Sequence, residues 1–322
     1  MRNRMINELS ILIPVYNDNA TALVKVLQAQ AEAVDGLEYE ILAVDDGSTN
    51  EAVIACNRAI DAIPHCRYVM DRHHDCRAAM RNNMASKGRY EWHLMVDARL
   101  SIVYADFIRR YLESGAQPGE AVCGGVMVDG GADSSRLYRE NLRFRYEKFE
   151  EKNHSAEVRN RFPYISFRTT NFFYHRTVLG RVPYDERIKG YGYEDVMLGK
   201  TFREKGIVVR HIDNPVAYTS FESNEAYLRK IEEAMRTLKD FAGELGEYSP
   251  LLAAVNKLGR LRLLWLVRLW HGLFGRAELR NLKGDRPSLF VFKLYKLGFF
   301  ACIRPVRHAA TSVMQKGSAA SR

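Results

Sequence analysis

The sequence predicts an α/β fold in which a mostly parallel sheet is flanked by helices and followed by a basic, amphipathic helical C-terminal tail. Three observations lead there. Short apolar runs alternate with stretches of helical period from residue 9 onward. The early runs close on polar residues. The positive charge gathers at the C-terminal end. Alternation at this spacing is the signature of β-α units, whose parallel strands carry helices on both faces.

Leu9–Val15 is the first apolar run, closed by Tyr16-Asn17 and followed by a helical stretch to Val34. Tyr39–Val44 is the second, ending in Asp45-Asp46-Gly47-Ser48 ahead of another helical stretch. Tyr68–Met70, Trp92–Val96 and Ala121–Val128 read as further strands. Polar residues just past the carboxyl ends of such strands line the ligand crevice. Tyr16-Asn17, Asp45-Asp46 and Asp97-Ala98-Arg99 all hold that place. From Asp129 to Tyr164 the pattern is charged and irregular, as in a long insertion over the crevice, and Ile165–His175 returns to apolar alternation. Helical period resumes over Tyr193–Lys205 and stops at Gly206, a strand-like Ile207–His211 follows, and Ser223–Phe241 is helix-like with Ser223 as N-cap. Gly243–Pro250 is the expected boundary, dividing the chain into 1–245 and a tail of 246–322.

With 322 residues, 47% of them hydrophobic, the chain can bury a full core and carry an appendage. Its net charge of +9 is uneven: residues 251–322 hold 14 Lys and Arg against Glu278 and Asp285 alone, and the first 250 hold 34 basic against 37 acidic groups. A basic tail on a neutral body suits an anionic membrane surface better than nucleic acid, which needs the charge on a folded reading face. Five cysteines without a C-x-x-C pair indicate neither a disulfide framework nor a zinc site, and a reducing cytoplasm is expected. Met1–Glu8 lacks the apolar core of a signal peptide, and no window offers the ~18 apolar residues of a membrane span. In the tail, Leu263, Leu266, Val267, Trp270, Leu273 and Phe274 share a helical face, with Arg260, Arg262, Arg268, His271 and Arg276 outside it. This is the composition of an interfacial helix. The same helices could instead pack on the domain or on a second subunit. Leu289–Ile303 is similarly apolar but interrupted by Lys293 and Lys296, and the Ser/Ala-rich end is expected to fray. Trp92 and Trp265 read as packing and interface residues.

Ser10-Ile11-Leu12-Ile13-Pro14-Val15-Tyr16-Asn17, followed one β-α unit later by Asp45-Asp46, resembles the opening of the inverting family 2 glycosyltransferases of the GT-A nucleotide-binding fold. The resemblance covers roughly residues 8 to 242. It implies that Pro14, Tyr16, Asp45 and Asp46 hold the base and ribose of a nucleotide sugar. A carboxylate can accept an imide N–H or a ribose hydroxyl, and a ring can cover the base. A family stretch that often reads Gly-x-x-x-Ala-Arg-Asn stands here as Arg77-Ala78-Ala79-Met80-Arg81-Asn82-Asn83. Arg77, in place of the glycine, is either a donor clamp for the diphosphate or a surface arginine.

Most family members end the strand corresponding to Trp92–Val96 with Asp-x-Asp, which brings Mg²⁺ or Mn²⁺ to the diphosphate, and this chain has Asp97-Ala98-Arg99. Related sequences also place a histidine near Tyr218. Two missing ligands weaken the expected metal site, of which Asp97 remains. Either Asp97 and the donor phosphates hold a weakly bound ion, the reading favoured here, or Arg99 with Arg77 replaces it as electrophile.

Pro183-Tyr184-Asp185-Glu186-Arg187-Ile188-Lys189-Gly190-Tyr191-Gly192-Tyr193-Glu194-Asp195 resembles the family's Phe-Asp-Glu…Gly-Tyr-Gly-x-Glu-Asp segment. By that resemblance Asp195 is the general base, with Glu194 beside it, and the glycines let the backbone pass close to the acceptor. The alternative is that both acids only charge the first turn of a helix. Phe172-Phe173-Tyr174, after Thr169-Thr170-Asn171, reads as core.

The expected activity is transfer of a sugar, from a UDP-sugar by preference, to a glycan or lipid-linked hydroxyl with inversion. The expected setting is surface-polysaccharide assembly by a cytoplasmic protein peripheral to the membrane, with a homo-oligomer as a further possibility. Two other readings stand beside it. A catalytically impaired binding or scaffolding relative is suggested by Arg99. A sugar nucleotidyltransferase would need a Gly-rich phosphate loop after the first strand, which Pro14-Val15-Tyr16-Asn17 is not, and a dehydrogenase lacks its G-x-G-x-x-G for the same reason.

Overall fold

A computed structural model describes residues 6–71 and 76–304. Its ten strands are β1 (Glu8–Val15), β2 (Glu38–Asp45), β3 (Cys66–Met70), β4 (Trp92–Val96), β5 (Leu100–Ile102), β6 (Glu120–Cys123), β7 (Val126–Val128), β8 (Asn171–His175), β9 (Val208–His211) and β10 (Val216–Tyr218). Seven of them form the main sheet in the order β3-β2-β1-β4-β8-β6-β9. It is parallel except at β8, which runs antiparallel to both β4 and β6. Val15 lies opposite Asp45, and Leu12 opposite Met95, a register that brings Pro14, Asp45 and Asp97 out at one edge.

Four helices serve the first half: α1 (Thr21–Glu32), α2 (Glu51–Arg58), α3 (Arg77–Lys87) and α4 (Phe107–Leu112). Strand residues point alternately to the two faces. In β1, Leu9, Ile11 and Ile13 pack with Leu23, Val24 and Leu27 of α1, while Leu12 joins Leu42, Val44 and the α3 residues Met80 and Met84. Each such side chain, fully withdrawn from water, contributes roughly 1.5–3 kcal/mol. Phe172, Phe173 and Tyr174 are buried, and Trp92 stacks on Phe173 at 5.0 Å, as expected of packing residues.

Three expectations need correction. The predicted strand Ala121–Val128 divides at Gly124-Gly125 into β6 and β7. Gly125 has φ +88°, and a Cβ on Gly124 would meet the Asn214 carbonyl at 2.2 Å, so the chain can step here from the main sheet to a small one of order β5-β10-β7. The predicted run Ile165–His175 is a strand only over Asn171–His175. The supposedly irregular insertion is largely helical, holding α5 (Ser134–Glu140), α6 (Leu142–Glu150) and α7 (Ala156–Arg161).

Then come α8 (Thr177–Arg181), α9 (Glu194–Lys205) and α10 (Asn224–Asp240), the last capped by Ser223, whose Oγ accepts from the Ala226 N–H. The C-terminal region folds as α11 (Pro250–Arg260), α12 (Leu264–Lys283) and α13 (Leu289–Cys302). Leu245, inside the expected boundary, is fully buried, and with Leu252 and Phe300 it packs on Ile188, Met197 and Met235. Leu282, Phe292 and Tyr295 pack on Tyr227, Leu228 and Leu142. So α13, despite its lysines, is a packing helix. The outer face of α12 is different: Trp265, Leu266, Leu269 and Leu273 are exposed, Leu273 to 68%, as are Leu261 and Leu263 in the turn before it. Arg268, expected in the charged flank, turns its Nε to the Ala301 carbonyl at 2.9 Å. Among the described residues no helix is long and apolar enough to cross a membrane. The Ser/Ala-rich end lies outside the described residues.

Candidate active site

The ends of β1 and β2 are tied into one platform. Asn17 sits at φ 53°, a left-handed conformation that asparagine tolerates, and its Oδ1 accepts from the Thr49 and Asn50 N–H groups at 2.9 Å each. Its own N–H donates to Ser48 Oγ at 2.7 Å. Asp45 is fully buried, accepting from the Ser48 N–H at 2.6 Å and from the Tyr68 hydroxyl. Burial and that carboxylate raise the Tyr68 pKa. Of the two predicted acids, Asp45 therefore holds the turn, and Asp46 is half-buried with its N–H on the Val15 carbonyl at 2.9 Å. Tyr16 is 53% exposed and Pro14 half-buried beside it.

Asp97 follows β4, and Arg81 of α3 approaches it at 3.2 Å. The same guanidinium stands 3.5 Å from Glu194. Arg81 is buried, with Tyr184 beneath it at 5.9 Å from the ring centroid. Burial works against its charge, yet Asp97, Tyr184 and Glu194 together raise its pKa. Buried polar atoms are nearly always paired. Arg81 Nε and Glu194 Oε2 are exceptions, buried without a hydrogen-bond partner. Arg77, first residue of α3, is half-exposed, 3.8 Å from Glu194 and 4.6 Å above the Tyr191 ring.

Arg99 donates from Nε to Asp18 Oδ1 at 2.5 Å. Burial raises the Asp18 carboxyl and Arg99 opposes it, with Lys230 of α10 and Asp97 also acting on it. Asp18 and Lys230 escaped the sequence reading. Asp18 had a signal, since it directly follows the Tyr16-Asn17 pair, whereas Lys230 lies on a distant helix and had none.

Glu194 and Asp195 open α9. Asp195 Oδ1 accepts from the Val196 N–H at 2.8 Å, and Oδ2 lies 3.9 Å from the Arg168 guanidinium. Burial pushes the Asp195 pKa up, Arg168 opposes, and Glu194 adds to the rise. The glycines before it also serve packing. A Cβ on Gly190 would meet Thr237 Oγ1 at 2.7 Å, and one on Gly192, at φ +87°, would meet Ala234 Cβ at 2.9 Å. They let the loop lie against α10, where Thr237 donates to the Tyr191 carbonyl and the Tyr191 N–H donates to Glu233.

Arg168 also lines a cavity of about 180 Å³ roofed by the insertion, together with Tyr146, Glu147, His154, Arg159 and Asn171. Burial lowers the His154 pKa, and its Nδ1 has no partner. Arg159 is structural here, bonded to the carbonyls of Cys123, Gly124, His154 and Ile212. The cavity offers both signs of charge and hydrogen-bonding groups to a polar guest.

A divalent ion finds little to hold it beyond Asp97. One oxygen of that carboxylate is taken by a buried guanidinium, the residue two places on is a cation, and Tyr218 lies under Arg143 at 4.8 Å. Among the described residues no group of three or more His, Cys, Asp and Glu gathers. A dication about 5 Å from a guanidinium is repelled by roughly 7 kcal/mol at an effective dielectric constant of about 20.

The model of a family described as "Glycosyl transferase family 2" matches residues 10–182. Among solved structures, a mannosyltransferase from Pyrobaculum calidifontis in complex with GDP-Man and Mn²⁺ superposes with a TM-score of 0.52 at 14% identity, covering 92% of this chain and 84% of that one. S. aureus TarS 1-349 gives 0.45 at 16% identity over 91% and 80%. Glucosyl-3-phosphoglycerate synthase from Mycobacterium tuberculosis, in complex with Mn²⁺, UDP and glucosyl-3-phosphoglycerate, gives 0.45 at 15% identity over 72% and 78%. No curated protein matches the chain in sequence. At 14% identity the first superposition speaks to the fold.

Proposed function

The chain belongs to glycosyl transferase family 2, and from that premise we propose that it moves a sugar from a UDP-sugar to a hydroxyl of a glycan or lipid-linked acceptor, with inversion, in surface-polysaccharide assembly. One observation carries the reading: the buried Arg81 joins Asp97, at the donor edge of the sheet, to Glu194, which adjoins Asp195. A donor group and a base on opposite sides of the molecule could not be linked in this way. Membership of the family sets aside the nucleotidyltransferase, and the retained Asp195 argues against a catalytically impaired binding module.

In this reading Tyr16 and Asp46 meet the nucleoside, with Pro14 shaping the turn and Asp45 holding Asp46 in place. The acceptor enters through the cavity roofed by α6 and α7. Asp195 takes the proton of its hydroxyl as the oxygen attacks the anomeric carbon. The bond from that carbon to the β-phosphate oxygen breaks, and its electron pair leaves with the nucleoside diphosphate. Arg168, between cavity and base, keeps Asp195 charged enough to act. A positioned base of this kind accelerates transfer by about 10²–10⁴. Asp195→Asn is therefore expected to bind the donor nucleotide as the unaltered chain does, by calorimetry, and to lose at least about a hundredfold in kcat. Transfer at the original rate would remove Asp195 from its role.

The outer face of α12 supports a peripheral association with an anionic membrane. Its leucines and Trp265 are exposed, and Arg260, Arg262 and Arg276 are exposed beside them. Apolar side chains entering the headgroup boundary with cations at its rim fit acidic lipid. On this reading the protein works at the inner face of the membrane.

A further inference from the structure

We propose that guanidinium groups of this chain take the place of a divalent ion in holding the donor's diphosphate and stabilising its departure: Arg99 and Arg77 by direct contact, and Arg81 by neutralising Asp97 behind them. The proposal rests on the donor reading above and deepens it. A metal site at this edge needs carboxylate oxygen free to coordinate, and Asp97 shares its charge with Arg81, which is 6% exposed and held between two carboxylates. To free that oxygen, Arg81 would have to leave both carboxylates and the Tyr184 ring. Where a second carboxylate would complete a metal's ligands stands Arg99, with 44% of its side chain exposed. Its Nε is occupied by Asp18, but a guanidinium carries five N–H donors in a planar fork suited to phosphate oxygens.

Arg77 supplies the second contact. It opens α3, an eleven-residue helix whose first-turn amides favour an anion, and its guanidinium lies over Tyr191 with 48% of the side chain exposed. Lys230 lies near enough to Asp18 to act on its charge. Cations from the strand edge, α3 and α10 thus surround the carboxylates of the cleft. As the anomeric C–O bond breaks, negative charge grows on the β-phosphate oxygens. Fixed cations stabilise it there without a metal's coordination demands.

Calorimetric titration of the full chain with UDP, GDP, CDP and dTDP, in excess EDTA and again with Mn²⁺, tests this. At least one nucleotide is expected to bind in EDTA, with Mn²⁺ tightening it by no more than about threefold. Binding that requires Mn²⁺ overturns the proposal while leaving the donor reading intact. Binding by none of the four under either condition removes both. Arg99→Ala is expected to weaken that binding and lower kcat about a hundredfold, as loss of one preorganised donor does elsewhere. Its circular dichroism should be unchanged, and Arg99→Lys should recover part of the affinity. Undiminished affinity in Arg99→Ala overturns the proposal as well.

Discussion

At Asp195 burial raises the carboxyl's pKa, the Arg168 guanidinium 3.9 Å away lowers it, and Glu194 raises it again. The net is upward, and a base must be charged to accept a proton. The acid limb of kcat/KM is therefore expected above the ordinary carboxylate range, with activity lost as pH falls through it. Arg168→Gln removes the lowering influence and should move that limb to higher pH. A limb that stays in place would detach Arg168 from the base. These two acids were legible because they stand in a thirteen-residue segment whose pattern is local. Asp18 and Arg99, paired across 81 positions, meet only after β1 and β4 are set side by side, and no local pattern announces that. Asp45 was legible as a site acid, but its use was not: the sequence cannot tell a carboxylate that faces a ligand from one spent on Ser48 and Tyr68.

Among the elements, the long strands and the helices between them were legible, since eight-residue strands such as β1 and β2 carry apolar runs that are set off from stretches of helical period. The small sheet did not, because its strands are three residues each and take their identity from one another. The insertion misled for a related reason. Helices of six to nine residues rich in Arg and Glu show little apolar stripe, and α6 and α7 are fixed by contacts such as Asn141 with Glu222 and Arg159 with four carbonyls. The loop before α9 gives a sharp test of element packing. Gly192→Ala forces a Cβ into a left-handed conformation and against Ala234, which should cost about 1–3 kcal/mol in urea unfolding. It should also lower transfer more than nucleotide binding, because the loop leads directly into Asp195, the proposed base. Unchanged unfolding and turnover would mean that the loop does not bear on α10 in solution.

The charge of the whole molecule is uneven, and the exposed apolar face of α12 lies in its basic C-terminal part. Deleting everything after Pro250 is a poor test of that surface, because Leu252, Phe292 and Phe300 help bury α10 and would leave their partners open to water. Substitutions confined to the outer face are cleaner. Leu269→Asp with Leu273→Asp is expected to release the protein from vesicles of phosphatidylglycerol, read by co-sedimentation, with the unfolding transition unchanged. Vesicle binding that persists refutes the membrane assignment, and a dimer broken by the same pair would assign the face to a second copy of the chain.

One helix serves two neighbours in this fold. On one side α10 receives the loop before α9 through Glu233 and Thr237, and on another it receives α13 through Glu232, which accepts from the Tyr295 hydroxyl at 2.5 Å. The C-terminal helices and the loop before α9 thus lean on a single rod of seventeen residues. On the proposed reading, a displacement of the C-terminal helices reaches, within the width of one helix, the backbone that carries Asp195.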